Sequence, residues 1–181
     1  MLRPPIKHCR QCGTPVQYRI PDDGDTRERA VCPACGTIHY VNPLLVVGTV
    51  PYLGDQVLLC QRAIEPRRGK WTLPAGFMEM DETLAQGAAR ETAEEAGARI
   101  EMGAFYSAMS IPRIGQVHVF YLARLLSAHF DPGPESAQAR LFTEDQIPWD
   151  ELAFTAVRRT LECFFEDRRR GGFGVHDFDI A

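Results

Sequence analysis

The sequence predicts an α+β fold, in which a mixed β-sheet is packed between helices and a small zinc ribbon is added at the N-terminus. Four cysteines near the N-terminus are paired at metal-ligand spacing. Strand-like runs stand on both sides of one helical pattern, and a second helical pattern with an apolar stripe follows them. A chain of 181 residues can bury one good core with a small appendage. We therefore expect a ribbon over residues 1–40 and a main domain over residues 41–181.

Four of the six cysteines form two Cys-x2-Cys pairs that are separated by nineteen residues. This spacing suits a four-thiolate zinc site, and because four thiolates close the coordination sphere, the metal is expected to be structural. Two disulfides are the alternative, but no export signal precedes the first cysteine, so a reducing compartment is expected. The predicted zinc ligands are Cys9, Cys12, Cys32 and Cys35. Two short ribbon strands are expected at residues 18–20 and 29–31.

Strand-like runs surround the main helical pattern. Gly54 and Asp55 separate the first two runs, which predicts a β-hairpin. Strands are expected over residues 44–53, 57–62, 99–110, 116–126 and 140–142. A second helix is expected over residues 154–168, where Val157, Leu161, Phe164 and Phe165 form an apolar stripe. The tail over residues 171–181 carries no signal for function.

The main helix follows a glycine-led loop that begins at Gly76. Thr83 and Gln86 have the spacing of a capping box, and Gly97 suits a left-handed C-terminal cap, so the helix is expected to run between Thr83 and Gly97. Three glutamates at i, i+3 and i+4 fall on one helical face: Glu91, Glu94 and Glu95. The small apolar residues of the opposite face are expected to pack on the sheet: Leu84, Ala85, Ala88, Ala89, Ala93 and Ala96.

Three adjacent carboxylates repel one another, which predicts that a cation sits against them. Ligand sets made only of oxygen suit Mg2+ or Mn2+. Arg90 can pair with Glu94 one turn away or fold back to Glu82 in the loop, and either contact would orient the cluster. Ala75 and Gly76 bring backbone close to the metal, where a carbonyl could bind. The alternative is a solvated acidic helix, which is the usual explanation of a charge run.

Helix breakers fill the segment over residues 131–136, which is therefore expected to be a loop. A long loop that carries Glu135 is a candidate lid that would supply a further carboxylate. A plain surface loop is an equal alternative.

Seven positions of the loop and helix have a fixed spacing: Gly76, Glu82, Arg90, Glu91, Glu94, Glu95 and Gly97. On these residues the sequence resembles the Nudix hydrolase family, whose box has the same spacing. Thr92 departs from the box, which usually has an aliphatic residue there. The segments over residues 38–43 and 71–77 resemble a zinc-ribbon subgroup that includes the plant plastid FAD/ADP-ribose diphosphatase and its bacterial relatives. This resemblance implies an α/β/α sandwich.

The resemblance also implies hydrolysis of a nucleoside diphosphate that is linked to another group, with release of a nucleoside monophosphate. Glu91 and Glu95 are the expected principal ligands of the catalytic metal, and either Glu94 or Glu135 is the candidate base. FAD or ADP-ribose is the first expected substrate, followed by NADH and then nucleoside triphosphates. Pro112 lies within one residue of a proline found in ADP-ribose enzymes of the family. The pattern Ser-Gln-Pro-Trp-Pro-Phe-Pro-x-Ser, associated with NADH pyrophosphatases, is absent.

Composition bears on the other classes of function. A net charge of −4 does not favour an electrostatic nucleic-acid binder, and no apolar run is long enough to span a membrane. We expect a soluble, cytoplasmic protein with a small nucleotide as its substrate, and a homodimer is compatible with the family resemblance. A ligand-sensing regulator of the same fold is the rival hypothesis. The complete carboxylate set weighs against it, because a sensor does not need these side chains.

Overall fold

The computed structural model describes residues 4–180 and divides into two compact units. One unit extends to Pro43 and includes the short segment Arg113–Gly115. The other unit begins at Leu44 and contains the rest of the chain. In the described part of the chain, no helix is both long and apolar enough to cross a membrane.

The first unit is a ribbon of three short antiparallel strands, in the order β1-β2-β3. The strands are β1 (Gln17–Arg19), β2 (Arg29–Val31) and β3 (Ile38–His39). The strand expected at residues 18–20 begins one residue earlier, and the strand at 29–31 is confirmed. Each cysteine pair closes a tight turn of the same kind, because the N–H groups of Gly13 and Gly36 donate to the carbonyls of Cys9 and Cys32 at 2.9 and 3.0 Å.

The second unit is built on one mixed sheet, whose main path has the order β10-β5-β4-β9-β8-β11. Its strands are β4 (Leu44–Leu53), β5 (Gln56–Arg62), β6 (Trp71–Thr72), β7 (Ala75–Phe77), β8 (Ile100–Ile111), β9 (Gln116–Leu125), β10 (Ser136–Phe142) and β11 (His176–Asp179). The pairs β4–β9 and β8–β11 are parallel and the other pairs are antiparallel. The predicted hairpin around Gly54 and Asp55 is confirmed.

Two helices cover the two faces of this sheet: α1 (Leu84–Ala96) and α2 (Thr155–Arg170). Val47 of β4 clusters with Ala88 of α1, and Tyr52 of β4 packs on Phe164 of α2 with 5.7 Å between ring centroids. Side chains alternate along a strand, so residues an odd number of positions apart lie on opposite faces. The expected α/β/α sandwich is therefore confirmed.

The C-terminal part of the chain differs from the expectation in two ways. Helix α2 begins one residue later than expected and continues to Arg170, where Gly171 ends it with a left-handed backbone at φ 78°. Beyond it lies strand β11, for which the sequence carries no signal, parallel to β8. Strand β11 has only four residues, so its own pattern is too short to identify it, and its place depends on the neighbouring strand.

Candidate functional site

Helix α1 is fixed at both of its ends. The hydroxyl of Thr83 accepts from the N–H of Gln86 at 3.2 Å, and the Gln86 side chain accepts from the N–H of Thr83 at 2.8 Å. This reciprocal pair is the predicted capping box. Gly97 ends the helix at φ 59° and donates its N–H to the carbonyl of Ala93. The glutamates near the C-terminal end of α1 therefore stand on a well-defined scaffold.

Glu95 is buried between α1 and strand β7. Its side chain accepts a hydrogen bond of 3.1 Å from the N–H of Ala75, and the residue is only 7% exposed. Burial raises the pKa of Glu95 to about 7, and the neighbouring charge of Glu91 adds to the rise. A carboxyl that titrates close to neutral pH is typical of a functional site.

The predicted packing face of α1 includes Ala93, and the prediction is wrong at this residue. Ala93 is exposed, whereas Thr92 and Glu95 are buried. The reason is the helical period: one residue beyond the buried Thr92 lies about 100° further round the helix. Thr92, which departs from the usual box, is hydrogen-bonded in the core. Its hydroxyl donates to the carbonyl of Ala88 at 2.8 Å and lies 2.7 Å from the hydroxyl of Thr49 on β4.

Glu91 lies directly against the backbone of Gly76. A Cβ atom at residue 76 would lie 2.4 Å from the Glu91 carboxylate, so any residue other than glycine would displace this carboxylate from its present position. The side chain of Glu91 is 12% exposed, and burial raises its pKa. The glycine of the loop thus leaves the space in which a second, partly buried carboxylate is held.

Arg90 connects the loop to the helix carboxylates. Its guanidinium binds both oxygens of Glu82, at 3.0 and 2.7 Å, and it donates to Glu91 at 2.6 Å and to Glu94 at 3.2 Å. It also donates to the carbonyl of Phe77 at 3.2 Å. Hydrogen bonds from Arg90 lower the pKa of Glu82 to about 2. Both partners predicted for Arg90 are therefore bound at once.

The three glutamates of α1 share one side of the helix but do not converge on one point. Within the described residues, the four cysteines have ligand atoms that all lie within 4.8 Å of one another. The three glutamates do not form such a group. Glu95 is turned to the N–H of Ala75, while Arg90 holds Glu91 and the more exposed Glu94. The donors are all carboxylate oxygens, which suits a hard divalent cation, and the pKa values of the buried Glu95 and the partly buried Glu91 are raised. Glu91, Glu94 and Glu95 could hold such an ion, with a backbone carbonyl of Ala75 or Gly76 nearby.

The loop that carries Glu135 is attached to the C-terminal end of α1. The N–H of Asp131 donates to the carbonyl of Ala96 at 3.0 Å, and the N–H of Ala63 donates to the carbonyl of Glu135 at 2.7 Å. The negative charge of Glu135 adds to the raised pKa values of Glu91 and Glu95, after the larger effect of burial. The loop therefore brings a further, exposed carboxylate within electrostatic reach of Glu91 and Glu95.

Arg62 also influences this site and is not anticipated from the sequence. It lies at the end of β5, where its side chain donates to the carbonyl of Pro66 at 2.7 Å and stands over the ring of Phe154 at 5.3 Å. Its positive charge opposes the burial that raises the pKa of Glu95. No local spacing identifies it, because the relation depends on how β5 and α1 are placed in the fold.

The four predicted zinc ligands come together in the ribbon. The Sγ atom of Cys12 lies 3.5 Å from the Sγ atoms of both Cys32 and Cys35. The Sγ atom of Cys9 lies 3.6 Å from that of Cys35. Tetrahedral zinc with Zn–S bonds of about 2.3 Å would separate neighbouring sulfurs by about 3.8 Å. The cluster therefore fits a zinc ion, and four thiolates would leave no open position for a substrate.

Comparison with known proteins agrees with these two parts of the structure. A family model described as NUDIX domain matches residues 43–162. This chain belongs to the Nudix family. A second model, described as Nudix N-terminal and named for a zinc ribbon, matches residues 7–41 of this Nudix protein.

Curated relatives of this Nudix protein include two named NAD-capped RNA hydrolase NudC. That of Deinococcus radiodurans is 32% identical over 171 residues, and that of Stutzerimonas stutzeri is 31% identical over 168 residues. The matches cover 91% and 90% of this chain but 58% and 57% of the relatives. The chain thus spans somewhat more than half the length of these relatives.

Solved structures of the family also resemble this Nudix protein. A crystal structure described as a NUDIX hydrolase from Nitrosomonas europaea matches with a TM-score of 0.93 and 51% identity, covering 97% of this chain and 99% of that one. A crystal structure described as an ADP-ribose pyrophosphatase from Streptococcus suis 89-1591 matches with a TM-score of 0.62 and 26% identity. This second match covers 76% of this chain and 100% of the Streptococcus suis chain.

Proposed function

We propose that this Nudix protein is a metal-dependent hydrolase that cuts the pyrophosphate bond of a nucleoside diphosphate linked to another group. FAD or ADP-ribose is the proposed substrate, and AMP is the proposed product. The observation that carries this proposal is the buried carboxylate of Glu95, held by the N–H of Ala75 beside a second carboxylate that is packed against Gly76. Burying a carboxylate is unfavourable unless it is paired or binds a cation, and among the described residues Arg90 pairs with Glu91 but not with Glu95.

The residues of the site have distinct proposed roles. Glu91 and Glu95, one helical turn apart, are the principal ligands, and Glu94 is a further ligand or the base. Glu135 is the alternative base, because its negative charge raises the pKa values of Glu91 and Glu95. Mg2+ or Mn2+, when bound, supplies charge neutralisation of the diphosphate and lowers the pKa of a water molecule.

Arg90 and Glu82 are positioning residues in this proposal. Their bidentate ion pair joins the loop to α1, and Arg90 at the same time holds Glu91 at 2.6 Å. A carboxylate that binds metal needs such a partner to fix its orientation.

Different observations favour two different substrates. Pro112, which follows β8, and the resemblance to the Streptococcus suis ADP-ribose pyrophosphatase favour ADP-ribose or FAD. The names of the curated relatives favour a second candidate, NADH or the NAD cap of RNA. The absence of the pattern associated with NADH pyrophosphatases weighs against this second candidate.

Product analysis across matched substrates tests the proposal. The purified chain would be incubated with FAD, ADP-ribose, NADH, NAD-capped RNA and ATP, with and without Mg2+ or Mn2+. Chromatography would follow the release of AMP and, from NAD-capped RNA, of nicotinamide mononucleotide. We expect metal-dependent AMP release from FAD or ADP-ribose, and its loss in Glu95→Gln. AMP released only from NADH, or nicotinamide mononucleotide released only from NAD-capped RNA, would reverse the order of the candidates.

The rival sensor hypothesis predicts a different pattern. A sensor would release no product from any of these substrates, before or after Glu95→Gln, and would shift the migration of an RNA or DNA probe. Turnover that is lost in Glu95→Gln excludes a purely sensing role.

A further inference from the structure

The loop between β5 and β6 carries two arginines that have no role in the proposed function so far: Arg67 and Arg68. Both residues are exposed, and among the described residues neither side chain forms a hydrogen bond or an ion pair. Lys70, the next cation of the loop, differs because it pairs with Glu151 at 2.6 Å. The loop therefore presents two free guanidinium groups.

Arg62, the last residue of β5, holds this loop closed. Its backbone N–H donates to the carbonyl of Lys70 at 2.9 Å, and its carbonyl accepts from the N–H of Gly69 at 2.8 Å. Its side chain donates to the carbonyl of Pro66 at 2.7 Å. The residues on both sides of Arg67 are thus bound to one anchor, so the loop has a defined conformation.

The same anchor lies beside the carboxylate site. The positive charge of Arg62 opposes the rise in the pKa of Glu95. The residue after Arg62, Ala63, donates its N–H to the carbonyl of Glu135 at 2.7 Å, and the charge of Glu135 also acts on Glu95. The base of the loop is therefore in contact with groups that surround the proposed metal site.

Arg67 has a left-handed backbone, with φ at 67°. Among residues with a side chain, Asn, Asp and His adopt this conformation most often, and glycine adopts it without strain. In the described part of the chain, one other non-glycine residue has a positive φ, Asp81 at 68°, and aspartate is one of these exceptions. Backbone strain of this kind is concentrated at functional sites. The arginine thus occupies a position that glycine would fill with less strain.

The free charge of the loop is positive. Lys70 is neutralised by Glu151, and the remaining cations, Arg67 and Arg68, outnumber the one carboxylate of the loop, the exposed Glu65. Guanidinium groups bind phosphate oxygens through two parallel N–H donors, which a single ammonium group cannot supply. Two free guanidinium groups next to a metal site suit an anion with several phosphate oxygens.

We propose that Arg67 and Arg68 bind the phosphate oxygens of the diphosphate substrate beside the metal ion. The inference rests on the proposed function, because that reaction supplies the ligand. Both arginines would hold the diphosphate alike in the ground state and in the transition state. Their loss should therefore raise KM and leave kcat nearly unchanged.

Steady-state hydrolysis of FAD and ADP-ribose by the zinc-loaded chain in Mg2+ tests this inference. We expect KM to rise about tenfold in Arg67→Gly and in Arg68→Gln. The rise should be smaller in Arg67→Lys, which keeps the charge and loses the paired donors. Arg124→Gln is the control and should leave both constants unchanged, because it removes an exposed arginine that pairs with Glu101.

Stability separates a binding role of Arg67 from a structural one. Glycine adopts the left-handed backbone without strain, so Arg67→Gly should keep or raise the urea midpoint of unfolding while KM rises. Arg67→Lys keeps the strained backbone and should leave the midpoint unchanged. A lower midpoint together with a lower kcat in Arg67→Gly would mean that the side chain supports the fold, and would overturn the proposal.

Calorimetric titration with inorganic pyrophosphate in Mg2+ distinguishes failure of this inference from failure of the proposed function. We expect the wild-type chain to bind pyrophosphate and Arg67→Gly to bind it about tenfold more weakly, whether or not any nucleotide is hydrolysed. Equal binding by both, or no binding by the wild type up to about 10 mM, would overturn the inference.

The kinetic outcomes complete this separation. Turnover with an unchanged KM in both Arg67→Gly and Arg68→Gln would overturn the inference and leave the proposed function standing. An effect confined to NAD-capped RNA, with pyrophosphate binding unchanged, would assign the two arginines to the phosphates of the RNA chain and would also overturn it.

Discussion

The side chain of Glu95 accepts a hydrogen bond of 3.1 Å from the backbone N–H of Ala75, which ties the end of helix α1 to the short strand β7. Strand β7 pairs with β4 in the middle of the sheet, so this contact joins the end of α1 to the core beside the loop that begins at Gly76. The same contact keeps the carboxylate out of water, and burial raises the pKa of Glu95 to about 7. One residue thus connects the stability of the fold to the chemistry proposed for the site.

The raised pKa of Glu95 predicts how stability depends on pH in the absence of a divalent metal. The folded protein holds this proton more tightly than the unfolded chain, whose pKa is 4.5. The contribution of Glu95 to stability is therefore fully present below pH 4.5 and is lost as pH rises through about 7. In Glu95→Gln this decline of up to about 3 kcal/mol should disappear.

Urea unfolding from pH 4.5 to 8, without Mg2+ or Mn2+ and with zinc retained, measures this effect. Trp71 and Trp149 are the two tryptophans of the chain and both lie in the second unit, so their fluorescence reports on the unit that contains Glu95. Glu94→Gln is the matched control, because that side chain is 58% exposed and its replacement should leave the pH dependence unchanged. Equal slopes in wild type and Glu95→Gln would contradict the prediction.

Arg90 should matter for both stability and turnover. Arg90→Gln leaves Glu82 and Glu91, which are 14% and 12% exposed, without their common partner. Removing one partner from such a partly buried network costs about 1 to 3 kcal/mol. Turnover should fall about 10- to 100-fold, because Glu91 loses the group that orients it.

Arg124→Gln is the control for this change, since Arg124 pairs with Glu101 where both side chains are more than half exposed. A surface pair of this kind is worth about 0 to 1 kcal/mol. The free energy of unfolding and the AMP release rate would be measured for both variants. A loss in Arg90→Gln no larger than in Arg124→Gln would mean that the network does not support the site.

The buried hydroxyl pair of Thr49 and Thr92 should be coupled. Thr92 donates to Ala88, so Thr49 is the donor in the 2.7 Å contact between the two hydroxyls. Thr92→Val leaves the hydroxyl of Thr49 without an acceptor in the core, which costs about 1 to 3 kcal/mol. Adding Thr49→Val should recover part of this loss, and a double-mutant cycle of unfolding free energies measures the coupling. Simple additivity of the two changes would contradict it.

Features set by local sequence could be predicted, and features set by the tertiary fold could not. The ends of α1 depend on residues a few positions apart, Thr83 with Gln86 and the terminal Gly97, and both ends are where the sequence places them. The cysteine cluster is likewise encoded by spacing within two short turns. The burial of Glu95 is not predicted from the sequence, because it depends on a hydrogen bond from the N–H of Ala75 in strand β7.

Long-range electrostatics were also beyond the reach of sequence patterns. Arg62 and Glu135 both change the pKa of Glu95, yet neither is near it in the chain. Glu135 is a candidate from the sequence because its segment is rich in helix breakers, but this composition predicts only a loop and not where the loop lies. Arg62 ends a strand, where nothing in its immediate sequence distinguishes it from a solvated residue.

The unpredicted strand β11 depends on the buried carboxylate of Asp167 near the end of α2. This carboxylate accepts from the hydroxyl of Tyr106 at 3.1 Å and the N–H of Gly174 at 3.1 Å, and it lies 2.8 Å from Nε2 of His176 in β11. Burial would raise the pKa of Asp167, but the partners, His176 first, hold it below its usual value of 3.8. The group therefore adds stability above pH 3.8, and this stability is lost as pH falls through the lowered pKa.

Asp167→Asn should therefore destabilise the second unit by about 1 to 3 kcal/mol at pH 7 and flatten its acid unfolding below pH 4. Amide hydrogen exchange should become faster across His176–Asp179, because the side chain that holds this strand has lost its charge. Asp177→Asn, an exposed position on the same strand, should change stability by less than about 0.5 kcal/mol. Unchanged exchange protection of β11 in Asp167→Asn would show that pairing with β8 alone holds the strand in place.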